Sequence, residues 1–245
     1  VDAKESELYL YVSTKGSDKN PGTYDMPFKT IHKAREAIKE HIFCGIKNNI
    51  TVLFDQGTYY LNTALSLGPE ISGNEQYSVK FKGKAGEKVV ISGGVKITGF
   101  KKVSDHLWQA QIPRLDNNKR TRQLFVNGQR AVRARTPNLD SCPPYFLLVD
   151  AKMKQKQQEY ILTLPKGVIK EWTNVSDIEV VTLGHWEIMR KRLNTIDIKS
   201  NLVTLEPPHI TNISFIRPHS GTPCYFENAL EMLDQPGEWY LNNNS

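Results

Sequence analysis

Apolar and polar positions change their period twice along this chain. Tyr9-Leu10-Tyr11-Val12 is a short run of β-branched and aromatic residues and predicts a strand. Residues 13–27, STKGSDKNPGTYDMP, are crowded with Gly, Pro, Asp and Asn and predict an irregular loop. Phe28, Ile31, Ala34, Ala37 and Ile38 then recur at helical spacing with Thr30 placed to cap, so a helix is expected over residues 30–43. No other stretch of the sequence carries as clear an amphipathic helical pattern.

Beyond it the pattern shortens to strands. Residues 50–54 are apolar, Asp55-Gln56-Gly57 reads as a turn, and a second strand follows at 58–61. Further strands are expected at 64–67, 77–82, 88–91 and 95–98, separated by turns bearing Gly, Asn or Pro. The spacing from Val52 to Val79 is close to that from Tyr60 to Ile91, which predicts a coil of about 25–30 residues repeating twice, within the range of solenoid periods. A β-sandwich would give the same string of strands. The helix favours the solenoid, because an exposed solenoid end needs a cap. Later strands are expected at 107–112, 160–164, 178–183, 195–198 and 202–205, with a polar solvated loop or helical turn at 152–159 and a proline-broken segment before Tyr225.

The densest local signal lies in residues 122–138, RQLFVNGQRAVRARTPN. Asn127-Gly128 between two apolar-bearing runs predicts a two-residue type I′ hairpin, since both residues tolerate positive φ. That turn sets Val126 opposite Gln129, Leu124 opposite Ala131 and Arg122 opposite Arg133. Two like charges in register are unfavourable unless something anionic lies between them. Residues 119–138 contain no Asp or Glu, whereas Lys119, Arg120, Arg122, Arg130, Arg133 and Arg135 are all basic. One reading has these arginines bonding carbonyls and carboxylates of the chain itself, among them the carbonyls of the Thr136-Pro137-Asn138 turn. The other is an anion site for a sugar acid, sulfate or phosphate.

Composition narrows the class. Hydrophobic content of 39% with 24% charged residues is that of a globular protein, and no apolar run reaches the length of a membrane span. The formal charge of +6 is moderate and arises partly from the arginine cluster. That cluster is compact and lacks a groove-reading motif, so no nucleic acid partner is expected. The chain opens on Val1, as expected of a mature or trimmed chain and compatible with export. Cys44, Cys142 and Cys224 have no metal-ligand spacing, so no metal is expected; Cys142 and Cys224 could pair in an oxidising compartment, with buried free thiols the default. No nucleophile triad, phosphate loop or cofactor motif is present, and no cofactor is expected.

Five segments together resemble a known group: YVSTKGSDKNPGTYDMPFKTIHKA at 11–34, VLFDQGTYYL at 52–61, ISGGVKITGF at 91–100, the arginine segment, and YFENALEMLDQPGEWYL at 225–241. In this order they resemble the right-handed parallel β-helix proteins of polysaccharide-degrading bacteria, nearest to those around glycoside hydrolase family 141 with its inserted β-rich domain. The resemblance implies a mainly β chain: a capping helix and first β-helix coils over 1–100, an inserted β domain over 101–226, and a return to the helix over 227–245. It places the catalytic carboxylates in later coils beyond Ser245, so no residue here inherits a catalytic role. The expected function is the N-terminal part of a secreted or periplasmic polysaccharide-degrading glycoside hydrolase, itself inactive, whose partner is a plant or host glycan. The alternatives are a non-catalytic carbohydrate-binding or surface module, and a polysaccharide lyase in which basic residues would neutralise a uronate.

A glycosidase needs two carboxyl groups. Glu227, Glu231, Asp234 and Glu238 supply carboxylates in one run, but acids beside the Pro236-Gly237 turn are expected to be solvated or capping groups. Candidate substrate-binding residues are Arg133 and Arg135 in the basic segment, and His185, Trp186 and Glu187, an aromatic ring flanked by ionisable groups. The competing reading makes Trp186 a core residue, with His185 and Glu187 sharing the opposite face.

Overall fold

The computed structural model describes residues 7–112, 121–154, 158–207 and 217–243, and the chain forms two compact units, Val1–Arg114 and Leu115–Ser245. Among the described residues it is mainly β with one α-helix.

The first unit contains β1 (Glu7–Val12), α1 (Ile31–Phe43), β2 (Asn49–Phe54), β3 (Gly57–Tyr60), β4 (Val79–Gly83), β5 (Val89–Ser92) and a short antiparallel pair, β6 (Lys101–Lys102) and β7 (Trp108–Gln109). Strands β1, β2 and β4 pair parallel in that order, with Leu10, Val52 and Phe81 in one row. Strands β3 and β5 form a second parallel ladder, Tyr59 opposite Ile91. Alternate residues of these strands point inward: Leu10, Val12, Ile50, Val52, Phe54 and Tyr59 are buried together with Ile31, Ala34, Ala37 and Ile38 of α1. The helix starts where the sequence says it should, because the Thr30 hydroxyl accepts the Lys33 amide at 3.1 Å. Asp18 locks that cap to the preceding loop by accepting the Lys29 and Thr30 amides and the Thr30 hydroxyl, at 2.9–3.0 Å.

Two expected strands do not form. Residues 64–67 and 95–98 find no ladder partner, and Leu67 and Val95 are left exposed, so apolar content there is not backed by pairing. The expected strand at 107–112 shrinks to Trp108–Gln109.

The second unit opens with a hairpin of β8 (Phe125–Val126) and β9 (Gln129–Arg130), followed by β10 (Val132–Arg133), β11 (Arg135–Thr136), β12 (Phe146–Leu147), β13 (Asp150–Lys154), β14 (Glu159–Thr163), β15 (Glu179–Leu183), β16 (Ile188–Asp197), β17 (Leu202–Leu205), β18 (Pro223–Glu227) and β19 (Glu238–Trp239). Eight of these make one sheet, ordered β11-β18-β15-β16-β17-β14-β13 with β12 beside β18. Its pivot is β16: residues 188–192 pair with β15, and after an irregularity at Leu193/Thr195 the remainder pairs with β17. A strand that changes partners at a bulge turns the sheet and lets both halves share one core. That core holds Tyr160, Leu162, Ile178, Val180, Leu205 and Phe226, with Trp172 tilted against Phe226 at 5.1 Å between ring centroids.

At the ends of the polar run at 152–159, residues 152–154 and Glu159 are strand rather than the solvated loop or helical turn expected there, because Ala151 and Met153 alternate with Lys152 and pack on the core. Residues 155–157 lie outside the described residues. Likewise 195–198 is the end of a ten-residue strand, since the charged positions Arg190, Lys191 and Arg192 hide its β character from composition. Cys224 is buried and Cys142 exposed, both as free thiols.

The hairpin forms as the Asn-Gly pair dictates. Asn127 has φ +52° and Gly128 φ +80°, Val126 faces Gln129, and the Ala131 amide donates to the Leu124 carbonyl at 2.8 Å. A Cβ at Gly128 would meet open space, so Gly128→Val acts through backbone strain alone. The expected loss is roughly 1–3 kcal/mol, read as a lowered midpoint in urea unfolding. An unchanged midpoint would show that this turn is not formed in solution.

Candidate functional site

The anion that the facing arginines require is Glu179, the first residue of β15. Arg122 donates to its Oε1 at 3.0–3.1 Å and Arg133 to its Oε2 at 2.5 Å. Arg133 also reaches Glu227 Oε1 at 2.7 Å and Asn228 Oδ1 at 3.1 Å, and Arg190 pairs with both glutamates. The sheet positions them, because Glu179 and Glu227 face each other across β15 and β18 while Arg192 sits opposite Glu179 on β16. Burial acts to raise the Glu179 pKa, but the charge and hydrogen bond of Arg133, then those of Arg122, outweigh it and hold the carboxyl below its ordinary value. Burial lowers the Arg133 pKa, opposed by Glu179.

Asn228, fully buried with φ +74°, completes the network. Its amide nitrogen donates to the carbonyls of Asp177 and Leu241 at 3.1 and 2.9 Å, and its side-chain oxygen accepts the Leu241 amide as well as Arg133. Asp177 in turn accepts the Asn243 amide and side chain. These bonds hold the last described residues against β10, which pairs parallel with β19.

Arg135 is used differently. Its Nε donates to the Pro137 carbonyl at 2.9 Å and its Nη2 to the Pro144 carbonyl at 2.6 Å, and the guanidinium lies 3.7 Å from the Tyr225 ring centroid. Arg133 and Arg135 therefore both bond groups of the chain itself. Yet together with Arg122, Arg130 and Arg190 they also line an open cleft of about 380 Å³, walled by Ala131, Val132, Leu139 and Tyr225.

The second candidate element is the β15–β16 hairpin tip. Gly184 donates to the Glu187 carbonyl at 2.9 Å, which turns the chain and throws Trp186 outward at 83% exposure. This corrects the core reading of Trp186: a tryptophan at a hairpin tip has no sheet face behind it. His185 and Glu187 line a small recess of about 60 Å³ with Arg217 and His219. That hairpin lies apart in the chain from the arginine cleft, and the two share no lining residue.

The carboxylates of the C-terminal run are occupied with structure. Glu227 is ion-paired, Glu231 accepts the Thr173 amide, Asp234 accepts the Asn138 side chain, and Glu238 accepts the Asp234 and Gln235 amides. Glu179, the centre of the arginine network, was not singled out from the sequence. The predicted like-charge pair Arg122/Arg133 was the one signal that such a carboxylate existed.

A curated relative, the uncharacterized protein YwoF of Bacillus subtilis (strain 168), is 36% identical over 85 residues, covering 35% of this chain and 16% of that protein. A solved structure described as a glycoside hydrolase superposes with a TM-score of 0.79 at 26% identity, over 96% of this chain and 41% of the other. The chain thus spans well under half the length of either relative. Residues 105–245, more than half of the chain, match the GH141 insertion domain, and the chain belongs to that family.

Proposed function

We propose that this chain is the part of an exported, polysaccharide-degrading glycoside hydrolase that carries the capping helix, the first coils of a right-handed parallel β-helix and the insertion domain. The observation that carries this reading is the TM-score of 0.79 to a glycoside hydrolase over 96% of the chain, joined to the family match. The two parallel ladders of the first unit support it, with Ile50 opposite Val79 and Tyr59 opposite Ile91, as in successive turns of a coil. A periplasmic or extracellular location follows from the size of a polysaccharide substrate, and the partner in this reading is a glycan. His185, Trp186 and Glu187 are the proposed sugar-gripping group of the insertion domain, an exposed ring with ionisable neighbours suited to stacking on a pyranose.

In the same reading the hydrolytic carboxyl pair is supplied outside this chain, because the C-terminal acids serve as ion-pair partners and amide acceptors. Purified chain and the longer protein that contains it are assayed side by side on aryl glycosides and polysaccharides. The longer protein is expected to release sugar and the chain alone to release none. Turnover by the chain, lost on mutating Glu227, Glu231, Asp234 or Glu238, would overturn the proposal.

A further inference from the structure

The arginine cleft has more cations than its own carboxylates can neutralise. Five guanidinium groups, those of Arg122, Arg130, Arg133, Arg135 and Arg190, line it, and two carboxylates, Glu179 and Glu227, pair with three of them, Arg122, Arg133 and Arg190. Among the described residues Arg130 and Arg135 form an ion pair with no carboxylate. The excess is not spread evenly. Arg133 at the floor is 9% exposed and bonds Glu179, Glu227 and Asn228, Arg190 is 27% exposed, and Arg122 at the rim is 55% exposed with one carboxylate oxygen as its partner. The Arg130 side chain lines the same cleft with no hydrogen bond or ion pair to any described residue.

The cost of this arrangement shapes what would relieve it. Arg133 and Arg135 are both partly desolvated, and burial lowers the pKa of each. Like charges gathered at a low-dielectric wall repel, and a bound anion removes that repulsion while using donor forks already held in place. The Asn-Gly turn and the β9 strand carry the Arg130 backbone to the cleft on a fixed hairpin, which puts its side chain within reach of the space it lines.

We propose that the cleft binds the carboxylate of an acidic sugar residue, with Arg130 and Arg122 as the groups that receive it. The claim rests on the carbohydrate reading of the module and adds the ligand's charge class to it. A carboxylate suits the site because guanidinium forks match its two oxygens in one plane. A sugar ring suits the rest: about 380 Å³ lies within the usual range of roughly 300–1,000 Å³ for small-ligand sites, and Ala131, Val132 and the exposed Leu139 offer an apolar wall to its C–H face. Glu227 is engaged with Arg133 and Arg190, whereas Glu179 holds Arg133 and also Nε and Nη2 of Arg122, so Arg122 meets the ligand with its remaining N–H groups and Arg130 with its whole fork.

The test is a calorimetric titration of the purified chain with trigalacturonate, its neutral counterpart trigalactose, sulfated galactose and sodium sulfate at matched ionic strength. Trigalacturonate is expected to bind and to raise the melting temperature, and trigalactose to do neither at the cleft. Arg130→Ala is expected to weaken trigalacturonate binding at least roughly tenfold, and Arg122→Ala similarly, because each removes a charge-assisted donor. The Arg130 side chain bonds none of the described residues, so the melting temperature of its variant without ligand should match wild type, which separates lost binding from lost folding. Binding of sodium sulfate as tight as trigalacturonate would reduce the cleft to a general anion sink and overturn the proposal. So would tighter binding of sulfated galactose, equal binding of trigalactose, or full binding by Arg130→Ala. Failure of the glycoside hydrolase reading would show elsewhere, as a longer protein that cleaves no glycan while the cleft still selects the acidic sugar.

Discussion

Glu179→Ala should destabilise the second unit by roughly 3–5 kcal/mol, the range seen when one partner of a buried ion network is removed. Arg133 is the reason. Its side chain stays buried, and after the substitution its remaining hydrogen-bond partners among the described residues are Glu227 and the Asn228 side-chain oxygen, with Arg122 and Arg190 now repelling it. Glu179→Gln keeps the shape and one acceptor and removes the charge, so it should fall between wild type and the alanine variant. Urea unfolding followed by tryptophan fluorescence, with Trp172 in the affected core, reads the effect. The same residue sets an acid limb. Because the folded-state pKa of Glu179 lies below the ordinary value of 4.5, its contribution is full above that value and is lost as pH falls through it toward the folded pKa. Wild type should therefore lose stability on acidification below about 4.5, and Glu179→Gln should show a shallower slope there. A neutral outcome for Glu179→Ala would mean that solvent, not protein, solvates these arginines.

What the sequence disclosed and what it hid divide along contact distance. The α1 boundaries and the Asn127-Gly128 turn depend on groups three or four residues apart, and both were legible. The pairing of Arg133 with Glu179 and Glu227 spans 46 and 94 residues, and no local pattern specifies it. The register argument came closest, because a hairpin that puts Arg122 beside Arg133 demands an intervening anion, though it does not say which. Residues 64–67 and 95–98 failed for the opposite reason: their propensity was visible, but a strand exists only with a neighbour, and neither acquires one. Strand β16 was half-hidden because its charged residues engage Glu179, Glu227 and Glu206 elsewhere in the unit rather than alternating with apolar ones. The hairpin tip at Trp186 shows the limit of composition: a large apolar residue reads as core until the turn at Gly184 is known.

Gly22→Ala should be among the most damaging single-methyl additions in the first unit. Gly22 has φ +82°, and a Cβ built there falls well inside contact distance of the Phe28 ring. Neither group has room to yield. The Gly22 carbonyl accepts the Tyr11 amide at 2.8 Å and its amide donates to Met26, while Phe28 donates to the Tyr11 carbonyl at 2.9 Å and packs at 3% exposure among Val12, Ile31 and Phe54. The substitution thus combines backbone strain of about 1–2 kcal/mol with overpacking of about 1–3 kcal/mol, since a well-packed ring displaced by one methyl must shift its neighbours. Gly86→Ala supplies the control within the same unit. Its φ of +79° is nearly the same, but nothing lies within 4 Å of the added Cβ, so only the strain should appear. Thermal unfolding of the two variants, compared with wild type, gives the packing contribution as their difference. Equal losses would mean that the Phe28 ring swings clear at no cost, and the loop over residues 13–27 would then not be fastened to the core through Gly22.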